Sequence, residues 1–470
     1  MDLHSLIRRL YAPEFMVKKS MQQAEFPGTK AAYSTAIGIA WASIAETFLI
    51  SMISIADTLM VSTIGSEAIA AVGLCTQPRF IAQTLVFSIN IAVASISARR
   101  KGEGDKEGAA TILKQGLILS LAASLLFSLA FLPFAAPILT LVGAKADSLP
   151  YAIDYFEVIM LGIPVCSLSL TISAALRGTG NTQASMKINM TSNLVNVIFN
   201  YLLIGGHFGF PRLEVRGAAI ATCIGWVSSL VLSIFFISRK SSYLYVFTRK
   251  GWRFTKQSLR AIFKVSSGSF GEQLCMRVGF LTNNIIIANL GTAMYATQNI
   301  LISILNPSFS FGEGFGIAAS SLVGQNLGAK RPDLSILYGK VCQRMSLISS
   351  TLIFIFISIF GRSMIGAFSQ DPVIIATASS ILILLVIIIF GQSSQMIFMG
   401  SLRGAGDTQY VAFISMICIL ILRPGLSFLF AYPLGMGLFG AWLAFVMDQA
   451  MRLFLTYRRF SSGKWVNIKL

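Results

Sequence analysis

The sequence predicts an all-α membrane protein, with twelve transmembrane helices in two pseudo-symmetric six-helix lobes, and three observations carry that prediction. Apolar residues make up 55% of the chain and charged residues 12%, for a mean hydropathy of +0.73. A soluble chain of 470 residues could not hide that much apolar surface in its cores. Apolar stretches long enough to cross a bilayer, about 20 residues each, recur from end to end. The second half of the chain also repeats the first at a fixed offset.

The spans expected are 33–62, 68–97, 110–132, 151–172, 187–206, 216–237, 265–288, 293–325, 338–361, 373–402, 410–433 and 435–456. They group into a cytoplasmic N-terminal segment (1–32), an N-lobe (33–237), a basic linker (238–264), a C-lobe (265–457) and a cytoplasmic tail (458–470). Residues 1–32 are charged and lack the short apolar core of a secretory signal. The linker, the longest polar interval, leaves no room for a soluble catalytic domain.

The formal net charge of +18 invites a nucleic-acid reading, which the distribution of charge excludes. With the N-terminus inside, Arg8, Arg9, Lys18, Lys19, Arg99, Arg100, Lys101 and most other cations of the chain fall on cytoplasmic segments. Lys145, Arg212, Arg216 and Arg362 fall on the other side. This is the positive-inside bias. It places both termini in the cytoplasm and makes anionic lipid headgroups the natural neighbours of the charge.

The repeat is explicit. Leu176-Arg177-Gly178-Thr179-Gly180-Asn181-Thr182-Gln183 aligns with Leu402-Arg403-Gly404-Ala405-Gly406-Asp407-Thr408-Gln409, a shift of 226. The same shift sets Gly65 on Gly291, Ile91-Ala92 on Ile317-Ala318 and Gly102 on Gly328; Gly217-Ala218 meets Gly440-Ala441 at 223. Six spans per repeat is even, so both halves enter the membrane from the same side, with the main cavity expected between them. That suits alternating access; a pore is the competing use of a duplicated bundle, but no filter-like sequence is present.

Cys75, Cys166, Cys223, Cys275, Cys342 and Cys418 are isolated in apolar segments, and the chain has two histidines, His4 and His207. Neither a disulfide framework nor a zinc site is supported. No cluster suited to metal or acid–base chemistry and no GxxxxGK[ST] loop is visible, so neither an enzyme nor direct ATP drive is expected.

Ionisable residues at bilayer depth are costly and therefore informative. They are Glu46, Asp57, Glu272, Glu313, Asp448, Arg79, Arg277 and Arg423. Asp57 has no cation three or four residues away. In span five, Asn193, Asn196 and Asn200 fall on one helical stripe; carboxamide oxygens facing a carboxylate could hold a monovalent cation or a proton. The alternative is that the stripe simply ties helices together. Glu46 shares the first span with Asp57. Glu313 sits between Gly312 and Gly314, which permit close backbone approach or local unwinding; it could face substrate or pair with an intramembrane arginine. Asp448 has Arg452 at i+4. Arginines facing a cavity would favour a substrate with acceptor groups. Pro164, Pro307 and Pro424 lie inside spans four, eight and eleven as candidate kinks.

The paired LeuArgGly loops, Asp57-Thr58-Leu59-Met60-Val61 with Gly65 after it, Glu272-Gln273, Gly324-Gln325-Asn326-Leu327-Gly328, Gly440-Ala441-Trp442-Leu443-Ala444 and the tail Arg459-Phe460-Ser461-Ser462-Gly463-Lys464-Trp465 resemble the multidrug and toxin extrusion (MATE) transporters over residues 33–465. The resemblance implies Na⁺- or H⁺-driven antiport of an amphiphilic organic small molecule, a bacterial inner-membrane location, a monomer and no cofactor beyond the coupling ion. One branch of the family implies a cation site at Asp57, Asn196, Asn200 and Thr222, with Asn200 replacing a second carboxylate. Another branch uses acids on spans seven and ten; here those positions look like the neighbourhood of Glu272 and Arg277, and Gln392. Glu46, Glu272, Glu313, Arg79 and Arg277 are thus candidate substrate or secondary charge sites. Asn283 stands opposite Asp57 in the repeat, so coupling is expected in the N-lobe alone. A dedicated exporter of an endogenous metabolite or lipid-linked precursor is the competing function.

Overall fold

The computed structural model describes residues 11–17, 21–240, 242–248, 250–468 and 470, of which the side chains of 54, 55 and 66 are not described. Arg8, Arg9, Lys18, Lys19, Arg249 and Lys469 lie outside the described residues.

Twelve long helices stand in chain order among the described residues: α1 (Thr29–Ser62), α2 (Ser66–Gly102), α3 (Lys106–Leu141), α4 (Leu149–Gly178), α5 (Thr182–Gly205) and α6 (Glu214–Ser238), then α7 (Lys256–Ala288), α8 (Thr292–Gly328), α9 (Pro332–Phe368), α10 (Pro372–Gly404), α11 (Thr408–Ala431) and α12 (Gly437–Ser462). Ten of them, all but α5 and α7, are long and apolar enough to cross a membrane. The two exceptions carry the polar side chains that matter below: Asn189, Asn193, Asn196 and Asn200 on α5, Glu272, Arg277 and Asn283 on α7. The helices outrun the expected spans by several residues, because their polar ends keep the helical hydrogen-bond pattern past the apolar run.

The chain divides into two compact units, Ala45–Ser266 and the combination of residues 1–44 with Ser267–Leu470. One border therefore falls inside α1 rather than at residue 33. The reason is packing: Ala32, Ala36 and Ala40 of α1, with Met16 and Val17 before it, join Phe315, Ala318 and Ala319 of α8 and Leu337, Tyr338 and Val341 of α9 in one apolar core. The other border differs from the expected linker for a similar reason. Lys114 of α3, 1% exposed, donates through Nζ to Thr248 O at 3.0 Å, Thr248 Oγ1 at 2.6 Å and Lys250 O at 2.6 Å. Gln115 donates to Arg253 O at 2.9 Å. The linker is thus fastened to the first unit.

The repeated LeuArgGly loops have a physical explanation. In each, the first glycine lies where two helices touch: a Cβ on Gly178 would collide with Ala94 O of α2, and one on Gly404 with Ser320 O of α8. The second glycine turns the chain in the left-handed region, at φ +78° for Gly180 and +85° for Gly406. The following amide then bonds back into the helix, Asn181 N to Leu176 O and Asp407 N to Leu402 O, both at 2.8 Å. The motif is a close-packing residue followed by a helix stop, built twice.

Candidate functional site

Asp57 is half-buried on α1, in the first unit. Asn196 and Asn200, one helical turn apart on α5, present their carboxamides to it. Asn200 Nδ2 donates to Asp57 Oδ1 at 2.7 Å. The surroundings of Asn196 favour the orientation in which its nitrogen donates to Asp57 Oδ1 at 3.0 Å and Oδ2 at 3.2 Å, while its oxygen faces Thr222 N and Oγ1, each at 3.2 Å. Thr222 Oγ1 also donates to Ala218 O at 2.9 Å. Glycines bring α5 and α6 together: a Cβ on Gly225 would stand 2.8 Å from Ser192 O and 3.2 Å from Asn196 Cβ, and one on Gly217 2.6 Å from Leu203 O. Asn200 Oδ1 is buried and accepts no hydrogen bond among the described residues. No lysine or arginine lies within ion-pair distance of Asp57 among them. The structure therefore brings together Asp57, Asn196, Asn200 and Thr222: one carboxylate, two carboxamides and a hydroxyl, all oxygen donors suited to a small hard cation. Asn193 makes no hydrogen bond to Asp57.

Glu46 and Glu272 behave differently from Asp57. Glu46 accepts from Asn189 Nδ2 at 2.6 Å and Ser185 Oγ at 3.3 Å, and pairs with Arg177 Nη1 at 3.4 Å. Glu272, fully buried, is clasped by Arg403 through Nε at 3.2 Å and through Nη2. Its partner is therefore Arg403, from α10. The two pairs are copies: Glu46 and Glu272 are 226 residues apart, and so are Arg177 and Arg403. That correspondence was present in the repeat and would have identified both pairs. Each arginine belongs to a LeuArgGly loop, so the duplicated motif also carries the cation of a buried ion pair.

Glu313 is exposed on α8 and adds its charge to the Glu272–Arg403 pair. Its flanking glycines serve close packing rather than unwinding, for α8 is continuous through them. A Cβ on Gly312 would stand 2.8 Å from Met396 Sδ, and one on Gly314 2.9 Å from Ile44 N. Arg79, on α2, stacks over Phe80 at 5.3 Å. Its Nε is buried without a hydrogen bond, and no carboxylate pairs with it among the described residues. Arg277 is half-buried on α7.

The second unit answers the Asp57 site with different chemistry. Asn283 replaces Asp57 and accepts from Ser427 Oγ at 2.8 Å. This pair is 144 residues apart where Asp57 and Asn200 are 143. The extra residue has a visible source: Met416–Leu422 of α11 is π-helical, a local one-residue insertion. Across that insertion Asn196 corresponds to Arg423. With the 223 shift of the last span, Thr222 corresponds to Phe445. Arg423, 6% exposed, lies over the Phe445 ring at 3.8 Å and the Phe280 ring at 5.4 Å. Where the first unit offers oxygen ligands, the second therefore carries a tethered cation on aromatic faces. Asp448 pairs with Arg452 at 2.6 Å, the helical partner expected of it, and Gln392 is buried with its Oε1 unpartnered.

A match to the MatE family model covers residues 42–202 and 269–429, one copy for each half. The chain belongs to the MatE family. It is 30% identical over 457 residues to the "Uncharacterized transporter YisQ" of Bacillus subtilis, covering 95% of this chain and 99% of that protein. It is 27% identical over 439 residues to the "Probable multidrug resistance protein NorM" of Thermotoga maritima, covering 91% and 92%. Among solved structures, a multidrug resistance MATE family transporter of the MOP superfamily in an outward-facing conformation superposes with a TM-score of 0.84 at 22% identity, over 92% of this chain and 97% of that one. The MatE chain described here is a multi-pass membrane protein with the twelve-helix, two-lobe fold of that family.

Proposed function

We propose that this MatE protein is a secondary active exporter of amphiphilic organic molecules, driven by Na⁺ or H⁺ moving in the opposite direction. It is a carrier and not an enzyme, and would work as a monomer in the bacterial cytoplasmic membrane with both termini inside. The observation that carries the reading is Asp57 at membrane depth, bonded only to neutral groups: Asn200 at 2.7 Å and Asn196 at 3.0 Å. An acid stabilised by fixed amides, with no basic partner among the described residues, is free to exchange a proton or a cation as membrane potential and substrate dictate. The Asn196 carboxamide supplies the adjustment. Its nitrogen faces the bare carboxylate; turned over, its oxygen would face a cation lodged between the two, with Asn200 Oδ1 and Thr222 Oγ1 as further ligands. Because Arg423 fills the corresponding place in the second unit, one cation would bind per chain.

The test is efflux from proteoliposomes under imposed Na⁺ or pH gradients. Asp57→Asn is expected to abolish gradient-driven transport while leaving insertion and folding intact; undiminished coupling in that variant would refute the assignment. Arg79 favours a narrower second reading, export of an anionic or acceptor-rich metabolite made by the cell. A substrate carboxylate could pair with the unpartnered guanidinium. Transport of anionic but not cationic dyes, lost in Arg79→Gln, would support it over a broad drug pump.

A further inference from the structure

Outside these sites, the second unit contains a cavity of about 530 Å³ at the basic end of its helices. It is lined by Lys340 and Arg344 of α9, Phe398 of α10, and Leu453, Phe454 and Tyr457 of α12. The spacings are helical on each element, so three faces converge on one groove. Both α9 and α12 pack along α10. Next to Lys340 in the chain, Gly339 packs against Phe460 of α12; a Cβ there would stand 2.6 Å from Phe460 Cζ. At its side the groove is open: Phe454 is 57% and Tyr457 50% exposed.

The chemistry of the lining changes along the helices. Arg344 is the last charged residue on α9 before the uncharged stretch Met345–Gly361. It therefore stands at the level where apolar membrane gives way to headgroups. Tyr457 on α12 marks the same level, as interfacial aromatics do. No acid lines the groove. Lys340 already donates to Met16 O at 2.7 Å. Arg344 pairs with no carboxylate among the described residues, and its Nε is buried without a hydrogen bond. A guanidinium at this depth needs an anion, and its planar fork matches the oxygens of a phosphate. Directly beside it lie aromatic and aliphatic surfaces open to the membrane. One molecule supplies a phosphate and long apolar chains from that direction.

We propose that this groove binds an anionic phospholipid, its phosphate held by Arg344 and its acyl chains lying over Leu453 and Phe454. Lipid would thereby brace α9 against α12 where the two helices lack broad mutual packing. Basic pockets between transmembrane helices are known to hold anionic headgroups in general; here the pocket is internal to one unit and separate from the Asp57 site.

The test uses the full-length protein in nanodiscs of phosphatidylcholine alone or with added phosphatidylglycerol, with melting temperature and retained lipid (native mass spectrometry) as readouts. The wild type is expected to melt higher with phosphatidylglycerol and to retain it in several-fold preference to phosphatidylcholine. Arg344→Gln should lose both effects and Arg344→Lys should keep part of each. Arg362→Gln, at the far end of α9, should keep both. A Phe454→Asp variant, which leaves the guanidinium in place and repels the phospholipid at the open side, should lose retention as well. The same preference in Arg344→Gln and Phe454→Asp would overturn the proposal. So would equal stabilisation by millimolar inorganic phosphate, which would make this a free-anion site.

Discussion

Replacing Arg403 with alanine should destabilise the protein substantially more than the matching change at Arg177, and the structure gives the reason. Both arginines pair with a buried glutamate, but the glutamates are left in different states. Without Arg403, Glu272 is fully buried and retains no hydrogen-bond partner among the described residues. Removing one partner of a buried pair costs about 3–5 kcal/mol. Without Arg177, Glu46 still accepts from Asn189 at 2.6 Å and Ser185 at 3.3 Å. Arg177 gives up its bonds to Glu46 at 3.4 Å and to Ser185 at 3.0 Å, but the carboxylate keeps two donors, so the loss is about 1.5–3 kcal/mol. Denaturant unfolding in bicelles at neutral pH measures both. A paired apolar replacement, Glu272→Leu with Arg403→Met, should recover most of the stability, because no charge is then left buried. The reasoning fails if Arg177→Ala loses as much as Arg403→Ala, or if the apolar pair is no better than the single variant.

Gly404→Ala should cost about 1–3 kcal/mol through its clash with Ser320 O, while Gly366→Ala, with nothing within 4 Å, should leave the melting temperature unchanged; equal effects would contradict the packing role of the loop glycine. Lys114→Met removes three hydrogen bonds to the linker and should expose residues 239–255 to limited proteolysis several-fold faster; an unchanged cleavage rate would show that the linker is held otherwise. Exchanging Asn283 for Asp and Arg423 for Asn should convert the second unit's tethered cation into an exchangeable one, raising the cations bound per chain from one to two; no added binding in a folded double variant would argue against the correspondence with Asp57 and Asn196.

Much of this was legible in the sequence, for identifiable reasons. Ten of the twelve helices follow from long apolar runs, and the duplication follows from glycines whose roles are backbone geometry, so spacing survived where side chains changed. The Asp57 cluster could be anticipated because a lone acid and a one-faced asparagine stripe are rare inside a membrane. The partners of Glu46 and Glu272 escaped, since each ion pair joins residues 131 positions apart. Comparison along one helix does not reach that far. The repeat offset does reach that far, had it been applied to charges as well as to glycines. The correspondence in position between Arg423 and Asn196 was hidden by the π-helical insertion at Met416–Leu422, which shifts the register by one residue and has no obvious signature in composition. The border inside α1 depends on alanines at 32, 36 and 40 packing on α8 and α9, and small residues alone do not name their partner.

The most direct test of the central claim is to count the cations released when substrate binds to the purified protein, with a Na⁺ electrode and a pH indicator in weakly buffered solution. One Na⁺ or one H⁺ per chain is predicted, falling to none in Asp57→Asn and unchanged in Asn283→Ala. Release that persists in Asp57→Asn, or two cations per wild-type chain, would contradict it.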